Sequence, residues 1–339
     1  MWSIVSAAIS AALAFGVLYQ AMGAARDRRK FAPPGTLVDV GTHRLHYQCH
    51  SSGSPAVVLD AGIAASSLAW SRVQPQIART TRVCSYDRAG LAWSDAAPGA
   101  RSIDALVSEL RTLLVTAGIE PPYVLVAHSF GALVIRAFAR RHRDQVAGLV
   151  FVDPLHPEEW CELSRDQRRM LRGAVFLSRV GGVLASVGVV RACLTLLSGG
   201  APAAPRLVSR LFGPRVAALL DHVVGEVQKL PREVLPAVQA HWSNPKAFRG
   251  MRQHLAAMPS CSASLARDVD AFGEIPVVVL SAGSRARRWL EADAALAGAS
   301  LRGRHLVSPA SGHWIHLDDP DLVTGAICDV IAAAEGKGV

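Results

Sequence analysis

The stretch VLVAHSFGA, residues Val124–Ala132, decides the fold that this sequence predicts. An apolar run of strand type leads directly into Ser129, and a helical pattern begins immediately after it. Ala127 and Gly131 flank the serine with small side chains, as a sharp turn between a closely packed strand and helix requires. The helix N-terminus behind such a turn favours developing negative charge, so we interpret Ser129 as a catalytic nucleophile. The competing interpretation is a serine that only caps the helix.

Short apolar strands alternate with amphipathic helices over much of the chain. This alternation is typical of βαβ units, so we predict an α/β fold with a mostly parallel central sheet and helices on both faces. Helix 103–117 has Ser102 as its predicted N-cap and Gly118 as its stop. The predicted strands are 36–41, 43–49, 56–59, 81–86, 123–127, 148–152, 276–280 and 304–307, and the predicted helices are 68–78, 103–117, 130–141, 287–296 and 320–334.

The alternation pauses after Pro154, where the pattern becomes helical and is interrupted by glycines and prolines. We therefore predict an α/β core of residues 36–154 and 273–339, with a helical cap of residues 155–272 inserted between its two parts. Helices of this kind would roof the site and line it with hydrophobic side chains. Examples in the cap are segment 182–197, which is almost uncharged, and segment 206–224, which is amphipathic.

The N-terminus carries a membrane signal. Residues 1–25 contain no charged side chain, and about twenty apolar residues are enough to span a bilayer as a helix. A basic, proline-containing linker of residues 26–35 follows directly. Because positive charge stays on the cytoplasmic side, we predict a single-pass N-terminal transmembrane anchor with the catalytic domain in the cytoplasm. The charges that support this prediction are Arg26, Arg28, Arg29 and Lys30.

A cleaved signal peptide is the alternative, since the small residues Ala21 and Gly23 are compatible with cleavage. The domain would then be secreted or periplasmic. Signal peptides carry their positive charge before the apolar segment, whereas this chain carries it afterwards, so the anchor is favoured.

Composition predicts a folded globular domain. Half of the 339 residues are hydrophobic and 19% are charged, which is typical of a chain that buries a core. The net charge of +9 favours anionic surfaces such as lipid headgroups. No zinc-finger spacing, RNA-recognition aromatic motif or basic region with heptads accompanies that charge, so nucleic acid is not a predicted partner.

Six cysteines are scattered through the chain and none forms a C-x-x-C pair. Neither a structural metal nor a redox motif is therefore predicted. Cys84 and Cys328 lie in apolar runs and are interpreted as buried small hydrophobic residues. A disulfide among Cys161, Cys193 and Cys261 stays open.

A second candidate catalytic segment, Ser311–His313, follows the last predicted strand. Sites of parallel sheets lie at the carboxyl ends of the strands, so a histidine here reaches the same edge as Ser129. We predict His313 as the general base that takes the serine proton. His316 is the rival, and we interpret it as a partly buried residue on the first turn of the next helix.

The loop Asp60–Ala64 follows the strand expected beside the one that ends at Ser129. An oxyanion hole is built from two backbone N–H groups, one directly after the nucleophile and one from this loop. We predict that Phe130 and Ile63 provide them. A plain glycine turn at Gly62 is the alternative.

Taken in order, these segments resemble the α/β-hydrolase family, and specifically its serine esterase, haloperoxidase-like and lactonase-like members with a helical cap. The resemblance covers residues 38–334. It implies two-step acyl transfer through a covalent intermediate on Ser129, without a metal or organic cofactor. Serine at this position argues against the dehalogenase and epoxide-hydrolase branches, which use aspartate there. The segments that carry the resemblance are LDAGI (59–63), YDRAGLAWS (86–94), AHSFG (127–131), FVDP (151–154) and SGH (311–313).

Two departures from the family pattern matter. Ala61 and Gly62 stand where members often carry His-Gly, and residues 281–289, after the seventh strand, contain no carboxylate at the usual position of the catalytic acid. The family's second solution places the acid at the end of the preceding strand, so we predict Asp153 as the carboxylate that orients His313. The other carboxylates in this region are Glu291 and Asp293.

These residues predict a serine hydrolase that cleaves an ester, thioester or lactone bond. The apolar cap favours a small hydrophobic or lipid-like substrate. The alternative is a catalytically inactive, membrane-tethered binding protein on the same scaffold. The observation that supports it is the missing carboxylate after the seventh strand. Asp87 and Arg88, which follow another strand, are expected to hold loops together by hydrogen bonding rather than to take part in the chemistry.

Overall fold

A computed structural model describes residues 2–198, 225–267 and 269–336 of the chain. Every predicted strand is present, and each bound lies within two residues of its prediction. The strands are β1 (Thr36–Asp39), β2 (Arg44–His50), β3 (Ala56–Asp60), β4 (Val83–Tyr86), β5 (Tyr123–His128), β6 (Val146–Val152), β7 (Val277–Ala282) and β8 (Gly303–Ser308).

All eight strands form one sheet, in the order β1-β2-β4-β3-β5-β6-β7-β8. The pairs β1–β2 and β2–β4 are antiparallel, and every other neighbouring pair is parallel. The predicted α/β class with a mostly parallel sheet is confirmed. The carboxyl ends of β3, β5, β6, β7 and β8 therefore meet at one edge, where the candidate site residues follow them.

The helices lie along the chain as the alternation predicts. Ser102 caps its helix by accepting a hydrogen bond from the N–H of Ala105, and Gly118 follows the helix end with a φ of +63°. The helices are α1 (Trp2–Lys30), α2 (Gln74–Ile77), α3 (Ile103–Thr116), α4 (Gly131–Arg141), α5 (Pro157–Trp160), α6 (Arg165–Ser186), α7 (Val189–Ser198), α8 (Leu235–Trp242), α9 (Pro245–Leu265), α10 (Arg287–Gly298), α11 (Ile315–Asp318) and α12 (Pro320–Ala334).

Two hydrophobic clusters cover the two faces of the sheet. One contains Leu110 of α3 and Phe138 of α4, and the other contains Trp70 and Ile327 of α12. All four side chains are almost fully excluded from water. Burial of a large apolar side chain contributes about 1.5–3 kcal/mol, so the clusters fix the sheet from which the site projects.

The prediction of one helix over residues 68–78 is wrong. The structure has a 3₁₀ turn at Ser67–Trp70 and then the short helix α2. The physical reason is Pro75, which has no N–H for a helical hydrogen bond and whose ring clashes with the carbonyl of Ser71 in a continuous helix.

Cys84 is buried, as its apolar surroundings predict, whereas Cys328 is only partly buried. Cys84 forms a disulfide with Cys49, because antiparallel β2 and β4 place the two residues directly opposite each other with 4.1 Å between their Cα atoms. The pairing depends on β2 and β4 being neighbours in the sheet although β3 separates them in the chain, and residues near either cysteine do not reveal this strand order. Among the described residues, the cysteines not in a disulfide are Cys161, Cys193, Cys261 and Cys328.

The described residues of the segment 155–272 form helices and loops and no strand. The apolar segment 182–197 falls on α6 and α7. The amphipathic cap segment, 206–224, lies outside the described residues.

The N-terminal helix α1 is the one helix of the described chain that is by itself long and apolar enough to cross a membrane. Large apolar side chains along it are exposed, including Trp2, Ile4, Phe15 and Met22. Its last turn carries Arg28, Arg29 and Lys30.

Candidate active site

Ser129 lies on a sharp turn between β5 and α4. Its φ of +52° is in the left-handed region, which a non-glycine residue occupies at a cost of about 1–3 kcal/mol. Two main-chain hydrogen bonds hold the turn against the end of β6: the Ser129 N–H donates to Val152 O at 3.2 Å, and the Leu155 N–H donates to Ser129 O at 3.1 Å. The turn therefore depends on its neighbour strand as well as on its own sequence.

The small residues of the motif allow close packing around the serine. A methyl group at Gly131 would lie 3.0 Å from the carbonyl oxygens of Asp60 and Ala61, so the start of α4 packs tightly against the loop after β3. Ala127 is fully buried in the sheet core, which accommodates its methyl group. The loop after β3 is thereby placed beside the nucleophile.

Gly62 and Ile63 lie in that loop. A methyl group at Gly62 would lie 3.5 Å from Cβ of Ser129, which sets how near the loop comes to the nucleophile. Within the described part of the chain, the backbone N–H groups of Ile63 and Phe130 donate no hydrogen bond. Both predicted oxyanion donors are therefore free on the loops that flank the serine.

Asp87 and Arg88 hold these loops, as the sequence predicts. The Arg88 guanidinium is buried, pairs with Asp60 and donates to the carbonyls of Ala61 and Gly62. The buried Asp87 carboxylate accepts hydrogen bonds from the His46 ring at 2.8 Å and from a backbone N–H at 2.7 Å. With its carbonyls occupied in this way, the loop after β3 keeps one conformation.

His313 lies in the turn between β8 and α11, and its Nε2 is 3.0 Å from the Ser129 hydroxyl. Its side chain is 47% exposed, so the ring is open on one side to solvent or substrate. Across the ring, Nδ1 is 2.5 Å from the Asp153 carboxylate. The structure thus brings together all three side chains that the sequence nominates.

Asp153 occupies a left-handed turn, with a φ of +43°, directly after β6. Burial alone would raise the pKa of this carboxyl, but the hydrogen bond and charge of His313, and then the charge of Arg285, outweigh burial and lower the pKa. The carboxylate is therefore ionised at neutral pH and can only accept hydrogen bonds. Nδ1 of His313 must donate to it, which leaves the lone pair of Nε2 facing the serine hydroxyl.

Arg285 is a site residue that sequence analysis missed. It stands in the stretch where the family usually places its acid, and its guanidinium lies 3.3 Å from Oδ1 of Asp153. It also donates to Pro154 O at 2.6 Å and pairs with Glu159 and Asp293 at 3.1 and 2.9 Å. The sequence did contain a signal for this role. Arg285 is a basic residue in the stretch that lacks the expected carboxylate, and a basic residue there suggests that it pairs with a nearby acid.

His128, next to the nucleophile, is a second residue whose role was missed. Its Nε2–H donates to the backbone carbonyl of His313 at 2.9 Å, since a carbonyl can only accept. Burial, and then the nearby His316 and His313, hold the pKa of His128 well below its usual value. The neutral ring therefore ties the His313 loop to the turn that carries Ser129.

His316, the rival general base, does not contact Ser129 through any hydrogen bond of the described chain. It is fully buried rather than partly buried, and its ring packs on Trp70 and His128 with centroids 4.8 and 4.5 Å away. Burial, with a contribution from His313, lowers its pKa to about 3. A base must accept a proton near neutral pH, so His316 is unsuited to that role.

A second serine–histidine–aspartate cluster lies at the end of β7. The Ser281 hydroxyl donates to Asp293 at 2.6 Å and lies 2.7 Å from Nε2 of His305. His156 also pairs with Asp293, at 2.6 Å. Ser281 is completely excluded from solvent and has no sharp turn to expose it, so this cluster binds strands to helices rather than presenting a nucleophile.

The comparisons with known proteins agree with this geometry. The α/β hydrolase fold family model matches residues 55–320, so the chain belongs to that family. Its structure is similar to a thermophilic esterase from Thermogutta terrifontis, with a TM-score of 0.60, 20% identity, and 88% of this chain and 99% of that chain covered. It is also similar to the enol-lactonase from Burkholderia xenovorans, with a TM-score of 0.59, 19% identity, and coverage of 88% and 100%. At such identities the likeness establishes the fold.

Curated relatives match over shorter segments. A haloalkane dehalogenase from Sphingobium indicum is 25% identical over 149 residues, which is 42% of this chain and 49% of that protein. The chain spans less than half the length of the curated relatives it matches. Family membership and these relatives together support a hydrolase activity.

The buried histidines predict that acid destabilises the fold. His316 has a folded-state pKa of about 3 against an ordinary value of 6.5, so below pH 6.5 the unfolded chain takes up a proton that the folded chain does not. The free energy of unfolding should fall by up to about 1.4 kcal/mol per pH unit for this residue between pH 6.5 and roughly 4. Urea unfolding of the detergent-solubilised chain across this range measures the slope.

His316→Phe keeps a ring of similar size but cannot titrate. The pH slope of the free energy of unfolding should therefore decrease by the contribution of one proton, up to about 1.4 kcal/mol per pH unit. His50, exposed at the end of β2, provides the control, and His50→Gln should keep the wild-type slope. An unchanged slope in His316→Phe would contradict the assignment of a neutral, buried His316.

Proposed function

We propose that this protein is a serine hydrolase that cleaves an ester, thioester or lactone bond through an acyl-enzyme on Ser129. The observation behind the proposal is the continuous contact from the Ser129 hydroxyl to His313, at 3.0 Å, and from His313 to Asp153, at 2.5 Å. A serine on a strained elbow, a correctly oriented imidazole and an ionised carboxylate are the three parts that such catalysis needs.

In the proposed mechanism, Nε2 of His313 takes the hydroxyl proton as Ser129 attacks the carbonyl carbon of the substrate. Asp153 stabilises the imidazolium that forms. The backbone N–H groups of Ile63 and Phe130 hold the oxyanion of the tetrahedral intermediate. His313 then gives its proton to the leaving group, and a water molecule activated by the same ring releases the acyl group.

The substrate that we propose is hydrophobic. A cavity of about 20 Å³ lies next to the oxyanion loop, and its lining combines loop residues with cap helices α8 and α9. This volume holds about one water molecule, so the cap must shift to admit an acyl chain. The walls are mainly apolar, which favours a chain of methylenes over a polar group. The lining residues are Ala64, Ser66, Leu91, Ala92, Val238, His241, Trp242 and Ala247.

The alternative of an inactive binding protein rested on the missing carboxylate after β7. That argument loses its force because Asp153 reaches His313 from the end of β6, with Arg285 filling the vacated place. Serine at the nucleophile position also sets this chain apart from the aspartate-dependent dehalogenase and epoxide-hydrolase branches that the family resemblance brings with it. We therefore favour the ester, thioester or lactone hydrolase.

We also propose that α1 anchors the protein in a membrane. It is long and apolar enough to span the bilayer, and its basic last turn favours a cytoplasmic location of the hydrolase domain. The Cys49–Cys84 disulfide points the other way, because disulfides are rare in the cytosol. The charges that flank a transmembrane helix determine its orientation when it inserts into the membrane. We therefore retain the proposal that the hydrolase domain lies on the cytoplasmic side.

The side of the membrane has a direct test. If the domain is cytoplasmic, Cys49 and Cys84 should be reduced in living cells and should become oxidised after purification in air. Cells quenched in acid and then denatured in the presence of excess maleimide, so that buried thiols also react, should then show all six cysteines modified by mass spectrometry. A Cys49–Cys84 disulfide already present in cells would place the domain in an oxidising compartment.

A fluorophosphonate probe should label Ser129 covalently. Because the proposed acyl site is apolar, a long-chain alkyl fluorophosphonate should react faster than its ethyl analogue, by up to about fourfold per methylene buried. Ser129→Ala should abolish labelling, which intact-protein mass spectrometry measures. Ser281→Ala is the matched control and should keep labelling, since its hydroxyl has similar hydrogen-bond partners but is buried. Equal labelling of wild type and Ser129→Ala would overturn the proposal.

Asp153→Asn should lower kcat by roughly 10³–10⁴-fold on a fluorogenic long-chain ester, because the neutral amide no longer stabilises the imidazolium. The change keeps the shape of the side chain, so KM should change much less. Glu291→Gln is the control, since Glu291 is an exposed carboxylate in the same region and pairs with Arg287. Wild-type kcat in Asp153→Asn would remove this residue from the mechanism.

A further inference from the structure

The N-terminal helix α1 contacts the rest of the protein along its second half as well as at its basic end. Its second half packs against the corner between α6 and α7, residues 186–189. A methyl group at Gly16 would lie 2.4 Å from the carbonyl oxygen of Val187, and one at Gly188 would lie 2.8 Å from the ring of Tyr19. Such approaches are possible only because small residues face each other, as at contacts between membrane helices.

A buried polar network reinforces this contact. Arg191 of α7 donates to the Gln20 side chain at 2.9 Å and pairs with Asp27 at 2.6 Å. Gln20 in turn donates to Ser243 O at 2.9 Å. Both Gln20 and Arg191 are almost fully buried, so these hydrogen bonds and the ion pair lie inside the protein rather than in water. The contact between α1 and the corner is therefore fixed.

The position of the contact along α1 shows how deep the α6–α7 corner would lie in a membrane that α1 spans. Gly16 precedes Arg26, the first charged residue of the chain, by ten residues, which corresponds to roughly 15 Å of helix. The hydrocarbon core of a bilayer is about 30 Å thick, so one leaflet contributes about half of that. If α1 spans the membrane, the corner that touches Gly16 lies at a depth within the hydrocarbon of one leaflet.

The surface of the corner suits that depth. Exposed apolar side chains lie at the corner and on the adjoining helices: Val183 is 66% exposed, Val189 is 41% exposed and Leu196 is 52% exposed. Ser186 is also exposed, and its hydroxyl donates to the Gly182 carbonyl at 2.9 Å. Together, residues 165–186 and 189–196 are long and apolar enough to enter a membrane, and they bend by 90° at the corner. In water this exposed apolar surface would be unfavourable.

Basic residues border the same surface. Arg179 is exposed seven residues before the end of α6, roughly 10 Å from the corner along the helix axis, where a long side chain can reach the headgroups. The charges at the basic end of α1 lie at a comparable distance from the corner. Anionic lipid headgroups complement this arrangement. The other exposed basic residues on α6 are Arg165, Arg168, Arg169 and Arg172.

We propose that the α6–α7 corner is embedded in the same leaflet as the second half of α1, in a phospholipid bilayer with anionic headgroups. The corner enters the hydrocarbon and turns back without crossing it, and Arg179 marks the headgroup level. The inference rests on the membrane anchor proposed above and is independent of the chemistry at Ser129. It makes the cap, as well as α1, a membrane-bound part of the protein.

Photolabelling from within the bilayer tests this arrangement. The full chain is reconstituted into vesicles of phosphatidylcholine and phosphatidylglycerol that contain a phospholipid with a diazirine in the middle of its acyl chain. After illumination, trypsin releases residues 180–191 as one peptide, because Arg179 and Arg191 bound it. We expect label on this peptide and on α1, and none on the peptide that contains Val115, which is 64% exposed on α3.

The double variant Val183→Glu and Val189→Glu should lower labelling of residues 180–191 about tenfold and leave the labelling of α1 unchanged, because carboxylates are expelled from hydrocarbon. Val115→Glu, a matched change on an exposed valine of the core domain, should alter neither. Labelled α1 with unlabelled 180–191, or undiminished labelling in the double variant, overturns the embedded corner.

Absence of label from α1 as well would overturn the anchor and the embedded corner together. Fluorophosphonate labelling of Ser129 in the same vesicles is the separate readout of the hydrolase. The failure of the membrane proposals and the failure of the proposed chemistry are therefore distinguishable.

Discussion

Two adjacent left-handed turns, at Ser129 and Asp153, support the rest of the site. Each holds a non-glycine residue at positive φ, and each follows one of two paired parallel strands. The Ser129 N–H bonds to the end of β6, and the Asp153 N–H donates to Leu280 O at 2.7 Å at the end of β7. Because neighbouring strands hold both turns, the sheet supplies the energy that offsets the local strain. The hydroxyl and the carboxylate are thereby fixed before the imidazole reaches them.

The charges around the site have a consistent arrangement. Asp153 is the ionised acceptor, Arg285 compensates its buried charge, and the rings of His128 and His316 are kept neutral by burial. The exposed His313 is left as the histidine between the Ser129 hydroxyl and the Asp153 carboxylate. The Ser281 cluster is made of the same residue types, yet its hydroxyl is buried. Exposure at a strained turn, more than the presence of three residue types, separates a nucleophile from a structural hydroxyl.

The family supports several chemistries on one scaffold, since esterases, lactonases, epoxide hydrolases and dehalogenases all resemble this chain. The fold alone therefore does not choose the reaction, and the residue at the elbow does. The helices between β6 and β7 add a second level of control, because α8 and α9 wall the small cavity beside the oxyanion loop while α6 and α7 contact α1. The proposed substrate access and the proposed membrane attachment thus both involve the same inserted segment.

Local sequence determined the elements and two of the nominated residues: the strand–turn–helix around Ser129, the cap at Ser102, and His313 after the last strand. These follow from periodicity, small residues and strand ends, which are encoded over a few neighbouring positions. Asp153 was nominated through the family resemblance, which offers the end of the preceding strand when no carboxylate follows β7. Only the tertiary structure decided that Arg285 faces Asp153, that His128 holds the His313 loop, that Cys49 meets Cys84 and that α1 packs on the α6–α7 corner. Each of these joins residues far apart in the chain, and such pairing is set by strand register and helix packing, which leave no local pattern.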